Sequence, residues 1–174
     1  MENKKEFSRG KKRIGAKKRR QSSYGLQLQE KQKVMHGYGW RDKQLKNRYV
    51  NAKLRSGDTG VNFLMISELR LDNILVLSGL ANTIRFARQL VSYGHLLVDG
   101  KKNNIPSYEV EPGQVISLKK EKMKENKIIK STLEQNVKIP SFLDFNKEKL
   151  TITYLRQPLP EELNKSINVS LIVE

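Results

Sequence analysis

The chain has 174 residues, of which 37% are hydrophobic, which is enough for one medium domain or two small ones with modest cores. No apolar run approaches the ~20 residues that a membrane span needs, and the N-terminus lacks the apolar centre of a secretory signal. We therefore expect an intracellular protein without a membrane partner. Cysteine is absent and the two histidines, His36 and His95, are far apart in the sequence, so we expect no metal site and no cofactor.

The formal net charge of +16 exceeds what solubility requires and indicates a polyanionic partner. Residues 1–20 carry ten Lys or Arg and two Glu, a net charge of +8, whereas residues 134–174 carry a net charge of −1. The alternative interpretation of this arm is a solubility tail. Nucleic-acid binding is favoured because the remaining excess charge lies in a segment with the pattern of a folded domain.

The arm has too few apolar residues to fold by itself, since Ile14 is the only large one within KKRIGAKKRR. We predict that it is disordered in the free protein and becomes ordered against RNA. Its predicted RNA-binding residues are Lys11, Lys12, Arg13, Lys17, Lys18, Arg19 and Arg20.

Residues 24–55 have the spacing of two amphipathic helices joined by a glycine turn at Gly37 and Gly39. The two apolar stripes contain Leu26, Val34 and Met35, then Leu45, Tyr49 and Leu54. Tyr38 and Trp40 are predicted to pack at the junction. After SGDTG, the segment VNFLMISELRLDNILVLSGL predicts a buried helical stretch with a break near Arg70.

A further helix is predicted in ANTIRFARQLVSYG, where Thr83 or Asn82 can provide the N-terminal cap and Gly94 ends the helix. One helical face is apolar and is expected to pack. The other face, with Arg85, Arg88 and Ser92, is expected to be offered to solvent.

A small sheet is predicted to follow, because HLLV alternates as a strand and Asp99-Gly100 is a dipeptide favoured in two-residue hairpin turns. The return strand begins at Lys101, and residues 115–118 complete the sheet after a turn at Pro112 and Gly113. We expect the chain reversal to place helix arginines and turn lysines on one surface. Such a surface suits double-helical RNA, which is recognised through phosphates and 2′-hydroxyls. The predicted RNA-binding residues of this unit are Arg70, Arg85, Arg88, Gln89, Ser92, His95, Lys101 and Lys102.

The segments RLDNILVLSGL, ARQLVSYGHLLVDGK and NIPSYEVEPGQVISL resemble a small RNA-binding module that several families share. These families include a class of pseudouridine synthases, tyrosyl-tRNA synthetases and a heat-shock protein of the large ribosomal subunit. The flanking segments SSYGLQLQEKQKV, GDTGVNFL and INVSLIVE resemble bacterial and organellar small-subunit ribosomal protein four. With the module, this resemblance covers nearly all of residues 15–174.

The resemblance implies an α+β fold in which a mainly helical first domain is interrupted by a small helix-plus-sheet RNA-binding module. The basic arm would span residues 1–23, and the first domain residues 24–67, completed by residues 122–174. The module would span residues 68–121. The closing LIVE is expected to be a strand.

The resemblance also implies a structural role in the small ribosomal subunit, in the bacterial cytoplasm or the interior of a plastid or mitochondrion. Members of that family bind the five-way junction in the 5′ domain of small-subunit ribosomal RNA and nucleate its assembly. Their basic arm lies near the channel by which messenger RNA enters, and protein five is among their neighbours. By the match, Lys17, Lys18 and Arg20 would face messenger RNA. The element expected to meet ribosomal RNA contains Gln27, Gln29, Lys31, Gln32 and Lys33.

Two other functions remain open at this point. A stand-alone ribosome-associated protein of the heat-shock type would share the module but does not account for the flanking segments. An RNA-modifying enzyme would need a separate catalytic domain, and removing the module leaves only about 120 residues, including the arm. Neither His36 nor His95 stands in a recognisable catalytic arrangement, and SGDTG lacks the pattern of a phosphate-binding loop.

Overall fold

The computed structural model describes residues 22–119, 125–135, 137–164 and 166–173. Within these ranges it contains seven helices and five strands. The helices are α1 Ser23–Gly37, α2 Asp42–Leu54, α3 Thr59–Glu68, α4 Leu71–Leu77, α5 Ile84–Ser92, α6 Lys127–Leu133 and α7 Ser170–Val173. The strands are β1 Leu96–Val98, β2 Lys101–Asn103, β3 Val115–Leu118, β4 Leu143–Asn146 and β5 Thr151–Tyr154. The predicted α+β fold with a helical first part is confirmed.

The two predicted N-terminal helices are confirmed as α1 and α2. The side chain of Ser22 caps α1 by accepting a hydrogen bond from the backbone N–H of Gly25 at 3.2 Å. Gly39, with a φ of +61°, turns the chain between the helices in a conformation that other residues rarely adopt. The apolar stripes are less buried than the pattern predicts, since Leu26 and Leu54 are exposed.

The predicted break near Arg70 is confirmed, because α3 ends at Glu68 and α4 begins at Leu71. At the break the backbone of residues 69–71 pairs with residues 108–110. Leu71 donates its N–H to the Tyr108 carbonyl at 2.8 Å, and Val110 donates to the Leu69 carbonyl at 3.0 Å. The break therefore ties the helical segment to the loop before β3.

The predicted hairpin is also confirmed, with Asp99 and Gly100 at φ values of +48° and +75°. The backbone N–H of Asp99 donates to the Val115 carbonyl, and the Asp99 carboxylate accepts a hydrogen bond from the Val115 N–H at 2.8 Å. These two bonds fix the hairpin turn to the start of β3.

The five strands form one antiparallel sheet in the order β2-β1-β3-β5-β4. One face of the sheet is buried and carries Leu96, Val98, Ile116 and Ile152, which pack with apolar residues of α4 and α5. A second, smaller core lies among α1, α2 and α3 and contains Val34, Trp40, Leu45, Phe63 and Ile66. The larger core thus joins the sheet to α4 and α5, and the smaller core joins α1, α2 and α3.

The C-terminal segment divides between the two cores, whereas the resemblance implied that all of residues 122–174 complete the first domain. Strand β5 pairs with β3, so the segment around β4 and β5 extends the sheet of the module. Ile129, Phe142 and Tyr154 belong to the larger core. Only the end of the segment, with Ile167 and Ile172, packs in the first domain.

The expectation of a terminal strand in LIVE is wrong, because residues 170–173 form the short helix α7. Among the described residues, the strand pairings involve only residues earlier in the chain. Instead α7 lies against α1, so the burial of Ile172 overrides the strand preference of its β-branched residues. In the described part of the chain, no helix is both long enough and apolar enough to cross a membrane.

Candidate nucleic-acid interface

One polar face of α5 is exposed and carries Arg85, Gln89 and Ser92. Residues at this spacing share one side of a helix, while Ala87, Leu90 and Val91 on the other side are buried. The side chain of Thr83 begins the helix by accepting a hydrogen bond from the Phe86 N–H at 3.3 Å. The face therefore carries one positive charge, on Arg85, and two neutral hydrogen-bonding groups, on Gln89 and Ser92.

The C-terminal end of α5 brings a lysine of the hairpin to the same region. The Gly94 N–H donates to the Val91 carbonyl and the His95 N–H to the Leu90 carbonyl, which together form a Schellman motif. Gly94 has a φ of +68°, and the aliphatic end of Lys102 lies directly over it. We define the module surface as Arg85, Gln89, Ser92, His95 and Lys102.

The ring of Tyr93 lies against His95 of the module surface. Tyr93 is exposed and contacts the partly buried His95 edge to face, with 6.1 Å between ring centroids. The exposed tyrosine ring can stack on a base that is not paired. Lys101, by contrast, pairs with Val98 while Lys102 pairs with Leu97, so the two lysines project from opposite faces of β2. Only Lys102 joins the module surface.

The expectation that Arg88 is offered to solvent is wrong. Its Nε lies 2.8 Å from an oxygen of the fully buried Asp72, and its two terminal nitrogens donate to the carbonyls of Tyr38 and Gly39 at 2.5 and 2.6 Å. Arg88 thus joins α5 to the turn between α1 and α2. Its physical role is to hold the module against the first domain.

Arg70 is likewise buried, and its guanidinium forms two hydrogen bonds to the carboxylate of Asp72 at 2.7 and 2.9 Å. The guanidinium carbon also lies 5.5 Å from the centre of the Trp40 ring, a cation–π contact. Arg70 is therefore engaged with Asp72 and Trp40, and its contact with RNA stays a prediction. We define the Asp72 cluster as Asp72, Arg70 and Arg88.

The element of α1 expected to meet RNA has a mainly exposed polar face. Gln29, Gln32 and Lys33 are exposed, whereas Gln27 and Lys31 are partly buried. Lys33 forms an ion pair with Glu30 at 3.5 Å and donates to the carbonyl of Ser166. Part of this face is thus engaged with the C-terminal segment.

The seven basic residues predicted in the arm lie outside the described residues, which begin at Ser22. Of the predicted site residues that are described, those of α5 and the hairpin form one group. Those of α1 form a separate group.

Comparison with known proteins gives matches over most of the chain. Residues 1–68 match the model of the ribosomal protein S4/S9 N-terminal domain, and residues 69–116 match that of the S4 domain. The small ribosomal subunit protein uS4 of Geobacillus kaustophilus is 50% identical over 157 residues, which are 90% of this chain and 78% of that protein. The uS4 protein of Streptococcus uberis is 48% identical over 154 residues, 88% of this chain and 75% of that protein. The chain belongs to the uS4 family.

Membership in the uS4 family makes the chain a structural ribosomal protein of the small subunit. The match covers the flanking segments as well as the module, and neither the heat-shock type nor an RNA-modifying enzyme accounts for them. Among the residues that the structure describes, no group of three or more His, Asp or Glu could hold a metal ion.

Sequence reasoning missed two features of this uS4 family member. The first is the Asp72 cluster, for which the only local signal is an aspartate two residues after Arg70 in RLDN. The second is a polar stripe on α2 with Gln44, Asn47, Arg48 and Asn51, whose helical spacing could have revealed it.

Glu68 carries a buried carboxylate that is hydrogen-bonded to two neighbouring side chains. Tyr38 donates its hydroxyl proton to Glu68 at 2.7 Å, and Asn73 donates to the other carboxylate oxygen at 2.7 Å. Burial raises the pKa of Glu68, and burial together with the nearby carboxylate raises the pKa of Tyr38. All three side chains are buried and bonded to each other, which is typical of a packing network.

Proposed function

We propose that the protein binds small-subunit ribosomal RNA at the five-way junction of the 5′ domain and nucleates the assembly of that domain. The observation that carries this proposal is the module surface, where Arg85 is exposed on the first turn of α5 and Lys102 lies over Gly94 at the other end of that helix, with neutral hydrogen-bonding groups between them. Family membership and the charge of +16 support it.

Recognition is proposed to act through charge and shape. A-form RNA displays phosphates and 2′-hydroxyls along its shallow groove, and its base edges are hard to reach in the deep one. Arg85 and Lys102 would contact phosphates, while Gln89 and Ser92 can both donate and accept hydrogen bonds with 2′-hydroxyls. The exposed face of α1 would give a second contact through Gln29 and Gln32.

The arm is proposed to lie near the channel by which messenger RNA enters the subunit, with Lys17, Lys18 and Arg20 toward the messenger. The segment KKRIGAKKRR carries seven basic residues. Their positive charge favours binding to a polyanion, but it does not distinguish one nucleotide sequence from another. Protein five is proposed as a neighbour in the subunit. These placements rest on the family resemblance of the segments.

The proposal is tested by binding of the purified protein to a transcript of the 5′ domain across a salt series. A surface that neutralises on the order of 6 to 10 phosphates loses ~10³ to 10⁵ in affinity between about 50 and 200 mM salt. A transcript of equal length without the five-way junction is the control. A nearly flat salt dependence, or equal affinity for both transcripts, would contradict the proposal.

A further inference from the structure

A polar cleft of about 280 Å³ lies between α2 and the module, away from the module surface. Helix α2 contributes Gln44, Asn47, Arg48 and Asn51, which share one helical face. The opposite wall is formed by Arg70 and Ser107. Among the described residues, none of those that line the cleft is a carboxylate, although Glu109 and Asp72 are close enough to act on Arg48.

The cations around this cleft differ in how they are neutralised. Arg55 forms two hydrogen bonds to Glu109 at 2.7 and 2.8 Å, and Arg70 is paired with Asp72. Arg48 is half-buried, and within the described parts of the chain it forms no hydrogen bond or ion pair. Its guanidinium therefore lies in the cleft with all of its donors unused.

The electrostatic surroundings of Arg48 are unfavourable to its charge in the free protein. Burial lowers the pKa of the Arg48 guanidinium, and the positive charge of Arg70 lowers it further, while the carboxylates of Glu109 and Asp72 offset part of this effect. Arginine stays protonated at any physiological pH, so the protein bears this cost as a loss of stability. A bound anion would remove this loss of stability.

We propose that this cleft binds a phosphate group of an RNA backbone, with Arg48 as its charged ligand. A guanidinium donates two parallel hydrogen bonds to phosphate oxygens, and the amides of Asn47 and Asn51 can add donors on either side. Exposed amides also accept from 2′-hydroxyls, which favours an RNA phosphate over a free ion. The inference rests on the proposed function, since it adds a contact for the same RNA.

The role of Arg48 can be separated from a structural role by substitution. We expect Arg48→Gln to weaken binding of the 5′-domain transcript about tenfold and to reduce the slope of log affinity against log salt by about one. Arg48→Lys should restore the slope but not the full affinity, because an ammonium lacks the planar fork. Lys53→Gln is the matched control, since Lys53 is exposed on the same helix and does not line the cleft. It should change affinity by less than about twofold.

Stability gives an independent readout. Because Arg48 has no hydrogen-bonded partner among the described residues, and the carboxylates of Glu109 and Asp72 offset its burial only in part, Arg48→Gln should leave the melting temperature unchanged or raise it. A fall in melting temperature would show that Arg48 is structural and would overturn the inference. Inorganic phosphate, compared with chloride at equal ionic strength, should stabilise the unsubstituted protein more than the Arg48→Gln variant.

The outcomes distinguish the inference from the proposed function. If the unsubstituted protein fails to prefer the 5′-domain transcript, the proposed function fails, and the inference fails with it. If it binds and Arg48→Gln binds with the same affinity and slope, only the inference is overturned. If phosphate stabilises through Arg48 while RNA binding is unchanged, the cleft takes a free anion and the RNA assignment is wrong.

Discussion

Arg85 and Arg88 lie three residues apart on α5, and the structure predicts opposite consequences for the same substitution. Arg85 is exposed, whereas Arg88 bonds to Asp72 and to the turn between α1 and α2. Arg85→Ala should weaken RNA binding and leave stability within about 0.5 kcal/mol. Arg88→Ala should destabilise the folded protein even without RNA.

The magnitude for Arg88→Ala follows from its contacts. Hydrogen bonds to charged groups contribute about 1.5–3 kcal/mol each when buried. The side chain of Arg88 is 28% exposed, so water replaces part of the loss, and Arg70 remains beside Asp72. We therefore expect a net loss of ~2–3 kcal/mol. At about 2–4 °C per kcal/mol for a chain of this size, the melting temperature should fall by ~4–12 °C.

Thermal unfolding followed by circular dichroism, together with RNA titration of both variants, checks this pair of predictions. Removal of one positive charge is common to both variants, so Arg85→Ala controls for the change in net charge. If Arg88→Ala melts with the unsubstituted protein, the link between α5 and the first domain is wrong. If Arg85→Ala binds RNA with unchanged affinity and slope, the module surface is wrong.

Three further predictions address the fold. Asp72→Asn leaves the buried Arg70 without a counter-charge and should cost about 3–5 kcal/mol in denaturant unfolding; a change below about 0.5 kcal/mol would refute the importance of the Asp72 cluster. Gly94→Ala forces a methyl group into a φ of +68° and toward Lys102, so it should cost ~1–2 kcal/mol, while Gly37→Ala, which has open space, should cost nothing. Hydrogen bonds from Arg156, Ser141 and the Leu159 N–H lower the pKa of Glu162 to about 2. The stabilising contribution of the Glu162 carboxylate is therefore present above its ordinary pKa of 4.5 and is lost as the pH falls toward 2. A carbonyl-carbon NMR titration with a midpoint near 4.5 for Glu162, or no upward shift in Arg156→Gln, would contradict that contact.

The local elements could be predicted from the sequence because their signals are local. Thr83 and Ser22 mark helix starts, and Asp99-Gly100 fixes a hairpin through backbone conformations that few residues adopt. The sheet order is different, since β5 joins β3 across more than thirty intervening residues and nothing within either strand specifies this pairing. The C-terminal helix α7 shows the same limit, because packing on α1 decides its conformation.

The candidate site was predicted in part for the same reason. Helical spacing correctly places Arg85 and Ser92 on one exposed face. It fails for Arg88, because the acceptors for this side chain are Asp72 and two carbonyls about fifty residues earlier in the chain. Spacing within one helix gives the direction of a side chain but does not reveal which distant segment lies there.

The central claim, a structural role in the small subunit through binding of its RNA, is tested most directly by sedimentation of native ribosomes. The account predicts that the tagged protein sediments with small subunits at one copy per particle and is released by high salt. Large subunits should carry none. Sedimentation with large subunits, or recovery chiefly as free protein at low salt, would contradict it.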